Sequence, residues 1–149
     1  MAMIQIPQDF KEFLRLLNFH QVDYLLIGGY AVGYYGFVRA TGDMDVWVRI
    51  SPDNATSIVN ALIEFGFAVP ELSPELFLKE EQIIRMGVPP LRLEILTTIS
   101  GVAFDECFEN RLVVQIDDLS INTINLQDLK RNKLSSGRLK DLLDLENLP

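Results

Sequence analysis

The reading of the fold turns on residues 24–50, YLLIGGYAVGYYGFVRATGDMDVWVRI. With Asp23 in front, the apolar run DYLLI is stopped by Gly28-Gly29, which predicts a buried strand and a tight turn. Residues 30–36 predict a short helix weakened by Gly33. MDVWVRI (44–50) is rich in β-branched and aromatic residues and alternates in polarity, so it predicts a second strand. Asp43 and Asp45 stand two apart at its start. Strand periodicity puts both carboxylates on one face, with Cα atoms roughly 6–7 Å apart. Met44, Val46 and Val48 then point the other way, into the core. Two converging carboxylates repel unless a cation or a proton lies between them. A solvated strand face is the simpler explanation of such a pair. Against it, aspartate is depleted in strands, and Trp47 shares the aspartate face.

The chain has one cysteine, Cys107, and one histidine, His20. No internal disulfide, cysteine-based zinc site or multi-histidine site can form, and a Ser-His-Asp mechanism has no nucleophile motif near His20. Cys107, set among Phe104 and Phe108, reads as a buried core thiol, and His20 as a helix-end residue. Any metal must therefore be held by oxygen, which points to Mg²⁺, Mn²⁺ or Ca²⁺.

Gly28 and Gly29 offer backbone amides in a turn with a helix start behind them, an arrangement suited to phosphates. A plain tight turn is the alternative. A dinucleotide site is excluded by pattern, because Gly28, Gly29 and Gly33 do not give G-x-G-x-x-G and a strand resumes by residue 44. Further along, Glu94 sits in the strand-like run LRLEIL (91–96), where an isolated acid is costly to bury. It is either salt-bridged to Arg92 or Arg85, or a third carboxylate beside Asp43 and Asp45. Three such acids would serve a two-metal phosphoryl site, with Asp43 and Asp45 on the nucleotide metal and Glu94 activating an acceptor hydroxyl.

Outside this core the pattern predicts a helix over 7–20, a helix from Pro52 to near Gly66 capped by Ser51, and a short helix over 73–80. Strands are expected over 83–88 and 91–98, joined by Pro89-Pro90, a helix over 102–111, and strands over 112–117 and 119–124. The tail from Asn125 is helical in two segments divided at 135–137, with Leu139, Leu142 and Leu143 as the apolar stripe of the second. Five to six strands mixed with helices, no repeat and no linker imply a single α/β domain over 1–149.

The 149 residues are 48% apolar and carry a net charge of −8, which argues against broad nonspecific nucleic-acid binding. No apolar run approaches the ~18–20 residues that span a bilayer. The N-terminus lacks a signal pattern, so a cytoplasmic location away from membranes is expected. Within the acidic whole, Lys130, Arg131, Lys133, Arg138 and Lys140 form a basic segment with no acid among them. It reads either as a solvated helix face or as a segment in which Lys133 or Arg138 reaches a bound triphosphate.

These motifs together resemble the nucleotidyltransferase-fold superfamily that includes DNA polymerase beta. Ile27-Gly28-Gly29, Asp43-Met44-Asp45-Val46 and Leu93-Glu94-Ile95 match its glycine turn, acidic pair and third acid. Arg39-Ala40-Thr41-Gly42 resembles the R-x-T preceding the acidic pair in the branch of abortive-infection type II toxins and minimal nucleotidyltransferases. Related chains carry a similar K…R-x-K-D-x-x-D tail, as Lys133 to Asp144 do here. The resemblance is clear over residues 23–50 and looser beyond. It implies a mixed sheet flanked by helices, Mg²⁺ (or Mn²⁺) at Asp43, Asp45 and Glu94, and transfer of a nucleoside monophosphate from a nucleoside triphosphate to a hydroxyl. Gly28, Gly29, Arg39, Thr41, Lys133 and Arg138 would hold the nucleotide. Gly29 stands where many members have serine, so no side-chain phosphate contact is available there, and Glu94 stands where many have aspartate. The acceptor could be protein, RNA or a small molecule. The alternative is a weak or inactive module that keeps the fold and acts through a partner protein or a second copy of the chain, in the manner of an antitoxin or regulatory subunit.

Overall fold

The computed structural model describes residues 5–39, 42–88 and 92–149. In chain order the elements are α1 (Gln8–Phe19), β1 (Tyr24–Ile27), α2 (Gly28–Tyr34), β2 (Asp43–Val48) and α3 (Pro52–Phe65). A 3₁₀ turn (Pro74–Phe77) leads to β3 (Ile83–Met86), β4 (Arg92–Leu96), α4 (Phe104–Glu109), β5 (Leu112–Ile116), β6 (Leu119–Thr123), α5 (Leu126–Ser136) and α6 (Leu139–Asn147). Among the described residues the sheet has six strands in the order β3-β4-β2-β1-β6-β5. It is mixed: β2 runs parallel to β4 and β1 to β6, and the other pairs are antiparallel.

β1 is buried at every residue because both sheet faces are covered there. Tyr24 and Leu26 join Met44, Val46 and Val48 against α1 and α3, where Phe10, Phe13, Leu14, Leu17, Ile58 and Leu62 meet them. Leu25 and Ile27 face the opposite way, with Trp47, Ala31, Val32, Cys107 and Leu129. The alternation in β2 therefore sends its apolar residues to the first core and its aspartates to the second face, as the periodicity predicts.

Four local expectations are corrected. The segment over 73–80 is a 3₁₀ turn rather than an α-helix, and the helix expected over 102–111 spans Phe104–Glu109. No separate turn lies between β1 and α2. Ile27 is extended and Gly28, at φ +69°, reverses the chain in one residue, so the helix begins at Gly28 itself. Finally, α6 is turned over. Leu139 (85% exposed), Leu142 and Leu143 face solvent, whereas Asp141 and Asp144 are buried. The leucine stripe loses because the buried Lys133 and the half-buried Arg39, described below, require those carboxylates.

Candidate active site

The sheet register brings the predicted acids together. Asp45 pairs with Ile27 on one side and with Glu94 on the other. Asp43 pairs with Arg92, and Arg85 with Glu94. Paired residues on neighbouring strands share a face, so Asp43, Asp45 and Glu94 lie on one face of the sheet centre. Gly28 follows Ile27 directly and closes over Asp45. A Cβ placed on Gly28 would fall well inside van der Waals distance of Asp45 Oδ2. Gly28→Ala therefore meets both a left-handed φ and a steric clash. It should lower stability by about 1–3 kcal/mol in a thermal melt, where Gly33→Ala, which meets no atom within 4 Å, should leave the melt near wild type.

The three carboxylates are not equivalent. Asp43 Oδ2 lies 2.8 Å from Arg92 Nη2 and Oδ1 3.3 Å from Arg92 Nε. That hydrogen bonding holds Asp43 below the usual carboxylate range. Glu94 Oε1 accepts from Arg85 Nε at 2.8 Å and stands 4.0 Å from Arg92 Nη2. Asp45 has no such cation: its Oδ1 is buried with no hydrogen-bond partner among the described residues. Burial raises the Asp45 pKa to about 7, reinforced by the hydrogen bond and charge of Glu94 and by the charge of Asp43, while Lys140 pulls it down. A buried carboxylate oxygen with no donor, beside a second carboxylate, suits a divalent cation. With Arg92 on Asp43 and Arg85 on Glu94, however, no group of three His, Cys, Asp or Glu among the described residues is arranged to hold a metal as it stands.

Asp45 and Glu94 floor a cleft of ≈ 430 Å³ walled by Gly28, Gly29, Arg39, Arg85, Lys133, Arg138 and Lys140. Of the residues predicted from sequence, Gly28, Gly29, Arg39, Lys133, Arg138, Asp45 and Glu94 line it. Asp43 does not line it; it lies one strand repeat from Asp45 on the same face, paired with Arg92, and Thr41 lies outside the described residues.

Of the two readings of residues 130–140, a solvated helix face does not hold at Lys133, which is buried in an ion-pair network. Lys133 Nζ sits between Asp141 Oδ1 (2.9 Å) and Asp144 Oδ2 (3.1 Å), and its side chain is only 6% exposed. Arg39 donates to both oxygens of Asp144, each at 2.8 Å. Asp141 also accepts from Ser136 Oγ and from Arg138 Nε. Burial alone would raise the Asp141 pKa, but the bonds from Ser136 and Lys133 win and hold it near 2; Asp144 is lowered in the same way by Arg39 and Lys133. This network docks α5 and α6 on the loop before β2 and fixes Arg39 at the cleft wall. Lys133 is thus an interior ion-pair partner, whereas Arg138 keeps an exposed side chain.

Lys140 is named in the basic segment of the sequence but not there assigned to the nucleotide. It is exposed, lines the cleft, acts on Asp45, and makes no ion pair among the described residues. No local pattern marks it, because its place at the cleft follows from the burial of the next residue, Asp141, on Lys133.

No protein-family model and no curated protein matches the chain. A proposed nucleotidyltransferase from Thermotoga maritima superposes with a TM-score of 0.63 at 14% identity, covering 92% of this chain and 88% of its own. An antigenic nucleotidyltransferase-like protein from Paracoccidioides brasiliensis superposes with a TM-score of 0.56 at 17% identity, covering 91% and 71%. The mixed, helix-flanked sheet is that of the nucleotidyltransferase fold. No helix among the described residues is long and apolar enough to cross a membrane.

Proposed function

We propose that the cleft transfers a nucleoside monophosphate from a nucleoside triphosphate to a hydroxyl, with Mg²⁺ or Mn²⁺ as the metal. The observation that carries this is the buried, partnerless Asp45 Oδ1 beside Glu94, on the floor of a cleft whose walls are cationic. Asp43, Asp45 and Glu94 would hold the metal, which when bound supplies charge stabilisation at the phosphates. The chain's own residues do the rest. Arg39, Arg138 and Lys140 hold the triphosphate, and Gly28, lacking a Cβ, keeps the approach to Asp45 open. The acceptor oxygen bonds to the α-phosphorus, the bond to the bridging oxygen breaks, and pyrophosphate leaves. Glu94, next to the reacting centre, takes the hydroxyl proton. Arg39-Ala40-Thr41-Gly42 and the Lys133–Asp144 tail pattern support placement in the minimal branch that resembles abortive-infection toxins.

The test is incubation with each nucleoside triphosphate and Mg²⁺, reading pyrophosphate release and the mass of any product. Metal-dependent release that is absent in Glu94→Gln supports the reading. Lys140→Ala should weaken nucleotide binding by roughly two- to fivefold, the scale of one exposed charge pair, without moving the melting temperature. An unchanged nucleotide titration would remove Lys140 from the site.

A second reading, a module that binds a partner and performs no transfer, is favoured by one observation. Arg92 and Arg85 occupy two of the three acids. It predicts no pyrophosphate release with any nucleotide.

A further inference from the structure

Beyond the cleft lies a second cavity of ≈ 700 Å³, and the two share Ile83, Thr98, Ile99 and Ser100. They are successive stretches of one furrow along β2 and β4. On β2 the aspartate face runs from Asp45 to Trp47, with Arg49 just past the strand end, and on β4 from Glu94 to Leu96, with Thr98 just past its end. Four residues of strand span roughly 13 Å. A small molecule seated in the second cavity can therefore reach toward the acids with one end.

The two stretches carry opposite charge. The cleft lining holds five cations, Arg39, Arg85, Lys133, Arg138 and Lys140, against three acids, Asp45, Glu94 and Asp141. The second cavity holds Glu80, Glu81 and Asp105 against a single cation, Arg49. That cation is already answered. Its Nε lies 2.8 Å from Asp23 Oδ2, its Nη1 pairs with Asp105, and its guanidinium packs over the rings of Phe104 (4.9 Å) and Phe108 (5.3 Å). Glu80 and Glu81 make no ion pair among the described residues. The Glu81 backbone is held at φ +58° and its amide donates to Thr98 Oγ1 at 3.0 Å. Apolar surface completes the lining: Ile83 is 48% exposed, and Trp47 and Phe104, packed edge to face, line the same cavity. The volume falls within the roughly 300–1,000 Å³ of small-molecule sites.

We infer that this second cavity is the acceptor subsite, and that it takes a small organic cation bearing a hydroxyl. The word acceptor rests on nucleotidyl transfer in the adjoining cleft; selection of a cation by the cavity does not. A nucleic-acid strand would bring phosphates against two unanswered carboxylates, whereas an ammonium finds them unpaired and an apolar wall beside them. In the reaction the bound hydroxyl oxygen forms the bond to the α-phosphorus. Pyrophosphate carries away the electron pair of the broken bond, and Glu94 receives the proton.

Trp47 is the only tryptophan and lines this cavity, so its fluorescence reports occupancy. The test titrates the full chain, without nucleotide or metal, with glucosamine, glucose, glucose 6-phosphate and a short single-stranded RNA. The first three share a sugar frame and differ in charge. Glucosamine should bind tightest, glucose more weakly, and the two phosphate-bearing probes weakest. In Glu80→Gln/Glu81→Gln the advantage of glucosamine over glucose should disappear, roughly two- to fivefold for each carboxylate, while glucose is unaffected. Both residues are exposed, and a matching melt confirms that the variant folds. The proposal is overturned if glucosamine gives no Trp47 response, if a phosphate-bearing probe binds best, or if the glucosamine preference survives the double substitution. Should nucleotide and Mg²⁺ fail to bind while that preference holds and is lost in the variant, the cation cavity stands and the transfer reading falls.

Discussion

Asp45→Asn should abolish nucleotidyl transfer and melt at or above the wild-type temperature at pH 8. Asp45 is the one acid of the three with a buried, partnerless oxygen, and its pKa is raised from 3.8 to about 7, first by burial and then by Glu94. Between those values the folded chain binds a proton that the unfolded chain does not. Stability contributed by this group is therefore full below pH 3.8, falls as pH rises, and is at its lowest above about 7. Asparagine removes the charge, keeps the size and can donate toward Glu94 as the protonated acid does. The variant should gain about 1–3 kcal/mol over wild type at pH 8 and little at pH 4. Transfer should fall by orders of magnitude, because metal stabilisation of the reacting phosphates is worth several kcal/mol. Chemical melts at both pH values, paired with pyrophosphate release, measure the two effects. A variant less stable at pH 8 with transfer intact would make Asp45 a structural residue.

Lys133→Met should cost about 3–5 kcal/mol, the scale of a buried pair that loses one partner. The ammonium is enclosed with Asp141 and Asp144, whose side chains are 6% and 1% exposed. Methionine fills the space but leaves both carboxylates to Arg39, Arg138 and Ser136. In wild type the Asp141 contribution is present above pH 3.8 and is lost as pH falls toward 2; the variant should show a smaller loss over that window. Arg138→Ala, at a side chain 79% exposed, should move stability by no more than about 0.5 kcal/mol and instead weaken nucleotide binding. The contrast separates an interior clamp from a ligand contact. A Lys133→Met chain that melts like wild type but binds nucleotide poorly would restore the expectation that Lys133 meets the triphosphate.

The site was legible where strand periodicity decides it. The spacing of Asp43 and Asp45 against Met44, Val46 and Val48 fixes which side chains share a face, and that is how β2 lies. Glu94 could be named as a candidate but not placed, because pairing across from Asp45 depends on a parallel register no local pattern encodes. The partners Arg85 and Arg92 follow from the same register, and the sequence left them as alternatives. The tail failed for a different reason. Helical periodicity favours burying Leu139, Leu142 and Leu143, and only the ion pairs to the buried Lys133 and to Arg39 at the cleft wall make Asp141 and Asp144 the inward face. Long-range charge pairing overrode the local apolar stripe, and with it moved Lys140 to the cleft. The reversal at Gly28 was read as a turn because a strand passing into a helix within one residue requires a left-handed glycine, which the sequence permits without specifying.

The central claim is that the face carrying Asp43, Asp45 and Glu94 binds metal and nucleotide together. The most direct measurement is amide NMR of the ¹⁵N-labelled chain titrated with Mn²⁺ and a nonhydrolysable nucleoside triphosphate, since the bound paramagnetic ion broadens nearby amides. The account predicts broadening centred on Gly28, Gly29, the start of β2 and the middle of β4, nucleotide-dependent and lost in Asp45→Asn. Broadening centred instead on Glu80, Glu81 and Asp105, or unchanged by Asp45→Asn, would contradict it.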